Sequence, residues 1–353
     1  MKSMHHYVHQ EKEINLKLLD NKHLLDPIQD LSLKACKGIV IYATGSSANA
    51  VNAAKPFMAK ILNLPIFVSE PSLALSYDNQ WQDNYIYIAV SQGGHSSSVI
   101  NLVEQLQHEN HQVWTLTSDL ESPLAKISSN LLHLDMPIEE MPYVTAGYTA
   151  TILYLYLFAL KVAYKEKIIS KKTYSSYLDE LTKVVKQADS VIALSETWIK
   201  ANFNDFELAR RFVFIGYGAA YGVAKEAETK FTETLHLPAH GHELEEYMHG
   251  PYLGLNPNDI LVLIDPCGQL SDRMKQLRIF LDKHMKRTYQ ISIGQSGQGC
   301  RDLEFKLNCS EYFAPLLLTI PIHLLAYELS QAKGIDLTVS FYPDFDEITK
   351  SKI

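Results

Sequence analysis

The chain contains the same strand, turn and helix pattern twice, and this repeat limits the folds open to it. From Gly38 it reads GIVIYATGSSANAVNAAKPFMAKIL and from Arg211 RFVFIGYGAAYGVAKEAETKF; aligning Gly45 with Gly218 sets strand on strand and turn on turn. Each unit opens with an apolar run of strand length, passes through small residues and continues with helical periodicity. Further apolar runs lie at 66–68, 85–90, 112–117 and 131–134, and again at 260–264, 288–293 and 305–307, with helix-like stretches such as 98–107 between them. Strands alternating with helices predict an α/β fold with parallel sheets covered on both faces, present here in two copies.

The expected organisation is a helical N-terminal segment (1–34), a first αβ domain (35–165), a helical connector (166–199), a second αβ domain (200–340) and a tail (341–353) lying over the active site. At 353 residues the chain exceeds the size at which one core usually stops growing. A final helix is expected within 316–333. The apolar stretch 144–160 contains Thr145, Gly147, Thr149 and Thr151 and is closed by Lys161, so it reads as a buried helix and not a membrane span.

Composition excludes several classes. Hydrophobic residues make up 46% and charged residues 20%, the balance of a folded globular chain. A net charge of −8 argues against a nucleic-acid surface, which needs a basic stripe. Cys36, Cys267, Cys300 and Cys309 show no CxxC spacing, and the N-terminus lacks the apolar core of a signal peptide; a reducing cytoplasm is expected.

Two loops can hold an anion. Thr44-Gly45-Ser46-Ser47 follows one strand, and Ser91-Gln92-Gly93-Gly94-His95-Ser96 follows another. In a parallel sheet such loops deliver backbone N–H groups at helix N-termini, and Ser and Gln add neutral donors. Ser and Gly are also ordinary cap and turn residues, so either loop alone decides little. Neither matches GxxxxGK[ST], and the 216–222 glycine loop lacks the spacing of a dinucleotide fingerprint.

In the second half, Glu226, Lys230 and Glu233 follow i, i+4, i+7 spacing on one helical face, and His249-Gly250-Pro251 follows them. A carboxylate and an imidazole can form an acid–base pair for moving a proton between adjacent carbons of a sugar. Such charges are more often a solvated helix face. His236, His240, His242 and His249 match no zinc spacing, and no metal is expected.

With these pieces placed, the chain resembles the tandem sugar isomerase (SIS) domain family, notably the isomerase half of glutamine–fructose-6-phosphate aminotransferase and stand-alone fructosamine-6-phosphate deglycases. The resemblance covers nearly the whole chain from about Cys36. It implies two three-layer, flavodoxin-like αβα sandwiches related by duplication. Gly45-Ser46-Ser47 is similar to the family's G-[ST]-S, and 91–96 to S-Q-S-G-[ED]-[ST]; the resemblance implies sugar-phosphate binding by Gly45, Ser46, Ser47, Ser91, Gln92, Gly94 and Ser96. Gly93 departs by lacking a serine hydroxyl and His95 by replacing an acid. Residues 226–233 resemble E-G-x-x-K-x-x-E, and 249–251 match H-G-P, implying Glu233 as general base, with Glu226 and Lys230 positioning the open-chain sugar. His249 is implied as ring-opening or proton-donating group, contributed across a homodimer. The 348–351 tail resembles L-A-K-S, which makes Lys350 a candidate amine, and Val144 and Thr145 fall where the family contacts the sugar.

Met1 leads almost directly into the sugar domain, so no glutaminase domain with its cysteine nucleophile is expected, and the substrate is expected to be a preformed amino sugar or sugar–amine adduct. The leading expectation is a fructosamine-6-phosphate deglycase that needs no cofactor. The alternatives are a glucosamine-6-phosphate deaminase or aldose–ketose isomerase, and a phosphosugar sensor. The N-terminal segment is too short and too weakly basic for the DNA-binding module such sensors carry.

Overall fold

The structure is a computed structural model in which residues 2–294 and 299–353 are described. The first half forms β1 (Gly38–Ala43), β2 (Ile66–Ser69), β3 (Tyr85–Val90), β4 (Val113–Thr117) and β5 (Asn130–His133). The second forms β6 (Phe212–Gly216), β7 (Ala239–Glu243), β8 (Ile260–Asp265), β9 (Thr288–Ile293) and β10 (Asp302–Phe305). The sheet orders are β2-β1-β3-β4-β5 and β7-β6-β8-β9-β10, with every pairing parallel. The two orders coincide when β6 is laid on β1, so the duplication read from sequence extends to topology. The order reverses between β1 and β3 and between β6 and β8, leaving a crevice beyond the carboxyl ends of those strands.

The central strands are buried on both faces; every residue of β8 and of β6 lies inside. That is why they read as unbroken apolar runs and not as alternating ones. Helices Gly45–Leu62 and Ala219–Leu235, one from each half, pack against each other between the sheets. A β-carbon at Gly222 would sit 2.4 Å from the Ala53 nitrogen and 2.6 Å from the Asn49 carbonyl oxygen, so glycine allows this close crossing. The main apolar core therefore runs through both lobes, with a smaller cluster on the outer face of each sheet.

Helix Ala146–Lys165 starts two residues after the apolar stretch begins and is the one described helix long and apolar enough to cross a membrane. It is buried inside the protein over nearly all of its apolar length, and its Thr149 and Thr151 hydroxyls bond to carbonyls one turn back. The N-terminal helix Met4–Asp20 packs on it and on Pro315–Ala332, the helix expected near 316–333. The connector forms helices Lys171–Val185 and Ala188–Glu207, the latter running eight residues past the expected 199 to pack on Pro315–Ala332.

Two elements differ from expectation. The last strand is Asp302–Phe305 and not 305–307, because Leu303 and Phe305 face the core while Asp302 and Glu304 alternate outward at the sheet edge. Strand β7 carries AHGHE, which has no apolar run. It is held by pairing with β6 and by Gly241, whose missing side chain lets the backbone approach the Ala224 carbonyl. Cys36, Cys300 and Cys309 form no disulfide.

Candidate active site

The site sits in the crevice of the first lobe and is closed from the other side by the second. The chain leaves β1 at Thr44 and enters helix Gly45–Leu62 through Gly45, whose φ of +54° lies in the left-handed region. Gly218 enters the equivalent second-lobe helix with the same φ of +54°. The two glycines that align the repeats share this positive φ at the start of their helices.

The second loop is tied down from behind. Gly94 has φ +71°, and a β-carbon there would meet Ser122 Oγ at 2.1 Å. The Gln92 side-chain amide donates to Ser118 Oγ at 3.1 Å, and the Gln92 carbonyl accepts from the Thr117 and Ser118 hydroxyls. The Gln92 N–H points at Ser47 Oγ, 3.4 Å away, which links the two loops. Gly93, by contrast, faces open space: nothing lies within 4 Å of a β-carbon built there.

The facing wall comes from helix Ala219–Leu235. The Lys230 ammonium, whose side chain is 1% exposed, donates to Glu233 at 2.7 Å and lies 3.6 Å from Glu226. Burial alone would pull this lysine down, but Glu233, Glu226 and Glu139 together hold it above its ordinary value, so it stays a cation. Glu233 is 37% exposed toward the cavity, whereas Glu226 is fully buried. Ser46 Oγ donates to Glu226 at 3.1 Å and the Asn49 amide at 2.9 Å. Burial works to raise Glu226, but Lys230, His323 and Asn49 outweigh it and hold the carboxyl below its ordinary value.

These walls enclose a cavity of about 660 Å³. Ser46, Ser47, Ser91, Gln92, Ser96, Val144, Lys230 and Glu233 line it, together with Gly93 and His95. Gly45 and Gly94 shape its loops without lining it. Thr145 is buried behind Val144, and Glu226 stands behind Lys230. The structure does not bring His249 or Lys350 into this cavity. His249 is exposed at the end of helix Leu244–Met248, its Nδ1 2.7 Å from the Glu245 carbonyl. Lys350 is exposed because it ends the short helix Phe345–Thr349 in a left-handed turn that sends its side chain outward. The tail residues that do reach the cavity are Ser351, Lys352 and Ile353. Ser97 N–H donates to the Ser351 carbonyl at 3.1 Å, Ile353 N–H donates to the His95 carbonyl, and Lys352 bridges Ser96.

Other groups escaped the reading of the sequence. Glu139 accepts from the Thr145 and Gly147 N–H groups at 2.9 and 2.6 Å, capping helix Ala146–Lys165 from outside, and burial pushes its carboxyl up to about 7 against those bonds and the nearby Lys230. A β-carbon at Gly147 would lie 2.9 Å from that carboxylate, so the glycine makes room for it. Behind Glu226 a buried chain continues: His323 Nε2 is 3.4 Å from Glu226, and its Nδ1 is 3.7 Å from Glu11 of the N-terminal helix. Burial alone would lower His323, but Glu11 and Glu226 raise it; burial raises Glu11 more than His323 lowers it. The available signals were a lone histidine within PLLLTIPIHLLAY and Asn49 in the small-residue first turns of a helix.

Similarity to known proteins places the chain in a family. Curated relatives include the glutamine–fructose-6-phosphate aminotransferase [isomerizing] of Nostoc sp. (strain PCC 9229), 22% identical over 336 residues, covering 92% of this chain and 52% of that protein. The chain thus spans about half the length of the curated relatives it matches. Among solved structures, a candidate phosphosugar isomerase from Clostridium difficile 630 superposes with a TM-score of 0.92 at 21% identity, covering 100% of this chain and 99% of that one. The C-terminal domain of glucosamine-fructose-6-phosphate aminotransferase from Francisella tularensis gives 0.84 at 22% identity, covering 95% and 97%. The SIS domain family model matches residues 32–161 and 206–303, and the protein belongs to the SIS domain family.

Proposed function

We propose that the protein is an enzyme acting on a sugar 6-phosphate by proton transfer between carbon 1 and carbon 2, and that its substrate is a fructosamine 6-phosphate. The observation that carries the reading is one cavity with serine-rich anion loops on one wall and the Lys230–Glu233 pair on the other. The phosphate would rest on Ser46, Ser47, Ser91 and Ser96, with Gly45, Gln92 and Gly94 holding the loops in shape. The sugar carbons would extend toward Glu233 past Val144, with Thr145 fixing that segment.

Glu233 would remove a proton from carbon 1 of the open-chain ketoamine, giving an enaminol. Reprotonation at carbon 2 gives the aldimine, and water adding at carbon 1 expels the amine to leave glucose 6-phosphate. Lys230, kept cationic by Glu233, Glu226 and Glu139, pairs with Glu233 and can balance negative charge growing on the carbon 2 oxygen. Glu226 holds Lys230 in place. His249 would open the ring or protonate the departing group from a second copy of the chain in a homodimer; its exposed position leaves it free to do so. Asp119, His95 and Lys352 at the cavity offer charges of both signs to an amine that is itself an amino acid. Lys350 stands beside this tail as an amine that would need the tail to shift.

The same proton shuttle serves a glucosamine-6-phosphate deaminase or an aldose–ketose isomerase, the second reading favoured by the family. A substrate panel decides: fructoselysine 6-phosphate, other fructosamine 6-phosphates, glucosamine 6-phosphate and fructose 6-phosphate, followed by release of glucose 6-phosphate and amine. Turnover of the fructosamines supports the deglycase; turnover confined to glucosamine 6-phosphate or fructose 6-phosphate replaces it with the second reading.

A further inference from the structure

On the outer face of the N-terminal helix, away from the cavity, His5 and His9 stand one turn apart and face Glu196 of helix Ala188–Glu207. His5 Nε2 and His9 Nε2 are 3.2 Å apart, and the same Glu196 Oε1 lies 3.6 Å from the first and 3.4 Å from the second. Among the described residues this is the one group of three histidine, cysteine or acidic side chains whose ligand atoms converge closely enough to share an ion.

We propose that His5, His9 and Glu196 form a zinc-binding site that clamps the N-terminal helix to the connector helix. Three ligands each about 2.0–2.1 Å from a tetrahedral zinc stand about 3.3 Å from one another, and the three observed separations bracket that spacing. A purely hydrogen-bonded account fits less well. One ring proton can satisfy the contact between the two imidazoles, but the carboxylate oxygen then sits beyond ordinary hydrogen-bond length from both. Two neutral imidazoles and a carboxylate are a borderline donor set suited to zinc. The side chains are 38–46% exposed, so water can complete the fourth position and the ion can enter without unfolding.

The site has a structural context. Two turns along, Lys12 of the same helix pairs with Asp189 of the same connector helix, so the two helices already face each other in register. The opposite face of the N-terminal helix buries Met4, Tyr7, Val8 and Glu11, the last being the carboxylate that meets His323. A metal on the outer face would fix the helix that supplies this inner group.

The test uses the metal-stripped full chain titrated with zinc chloride near neutral pH by calorimetry, with bound metal counted by mass spectrometry and Tm followed in parallel. The expected result is one zinc per chain and a zinc-dependent rise in Tm. His9→Ala and Glu196→Gln should each weaken binding about tenfold or more, since loss of a direct ligand exceeds the loss of a supporting group. Glu196→Gln is a near-isosteric surface change, so a folded variant is available even if His9→Ala disturbs the helix. Absence of stoichiometric zinc, or unchanged affinity in both variants, overturns the site. Neither outcome depends on the reaction proposed above.

Discussion

Ser46 Oγ donates a hydrogen bond to Glu226 at 3.1 Å, so the first anion loop of one lobe is tied directly to the acid–base helix of the other. Ser46 therefore does two jobs: it lines the cavity and helps keep Glu226 ionised. The bond exists because helices Gly45–Leu62 and Ala219–Leu235 cross closely enough for Asn49 and Ser46 to reach a carboxylate with no access to water.

That crossing depends on Gly222. Gly222→Ala places a methyl group 2.4 Å from the Ala53 backbone nitrogen, which cannot rotate away. The expected cost is about 2 kcal/mol of unfolding free energy, in the range of overpacked cores, measured by urea denaturation. Gly93→Ser, in open space, should cost nothing measurable.

Gly93→Ser carries its own prediction. It restores the hydroxyl that the family pattern has and this chain lacks, at a position with no steric barrier. A new hydrogen bond to a charged phosphate contributes about 1.5 kcal/mol, so the Kd for glucose 6-phosphate should fall about tenfold by calorimetry. An unchanged Kd would mean the phosphate does not rest on this loop.

Glu139 links the site to pH. Its folded value of about 7 lies above the ordinary 4.5, because burial disfavours the charge. A carboxyl raised on folding contributes stability that is fully present below its unfolded value and is lost as pH rises through the folded one. Stability should thus fall between about pH 4.5 and pH 7 by about 3 kcal/mol. Glu139→Gln should remove that slope in urea titrations across the same window.

His323 moves in the same direction for a different reason. Burial opposes its charge, but Glu11 and Glu226 on either side favour it more strongly. Its imidazole should titrate above the ordinary histidine value, by NMR, and Glu11→Gln should bring it down. The stabilising contribution is present below about pH 6.5 and is lost as pH rises through the raised value. His323→Leu, which takes the charged partner from buried Glu11 and one of several partners from Glu226, should cost about 3 kcal/mol near pH 6.

The sequence made the duplicated αβ architecture legible because Gly45 and Gly218 both supply a positive φ at a strand-to-helix turn and the buried strands are unbroken apolar runs. The loops and the Glu226, Lys230, Glu233 stripe were legible for similar reasons: each depends on neighbours three to six residues away. Asn49, His323 and Glu11 were hidden because each acquires its partner across the fold; Glu11 and His323 are more than three hundred residues apart in the chain. Glu139 was hidden because it bonds to Thr145 and Gly147 from an irregular segment that carries no periodic pattern. Strand β7 was hidden because an edge strand can take its order from its neighbour. Lys350 drew attention by motif, yet the left-handed turn at that residue delivers Lys352 to the cavity in its place.

The central claim is that Glu233 is the base for carbon 1. The direct measurement is turnover of a fructosamine 6-phosphate by Glu233→Gln, alongside calorimetric binding of glucose 6-phosphate to the same variant. The account predicts a fall in kcat of about a thousandfold, the size of a lost general base, with sugar-phosphate binding retained. Turnover within tenfold of the unaltered protein, with binding intact, would contradict it.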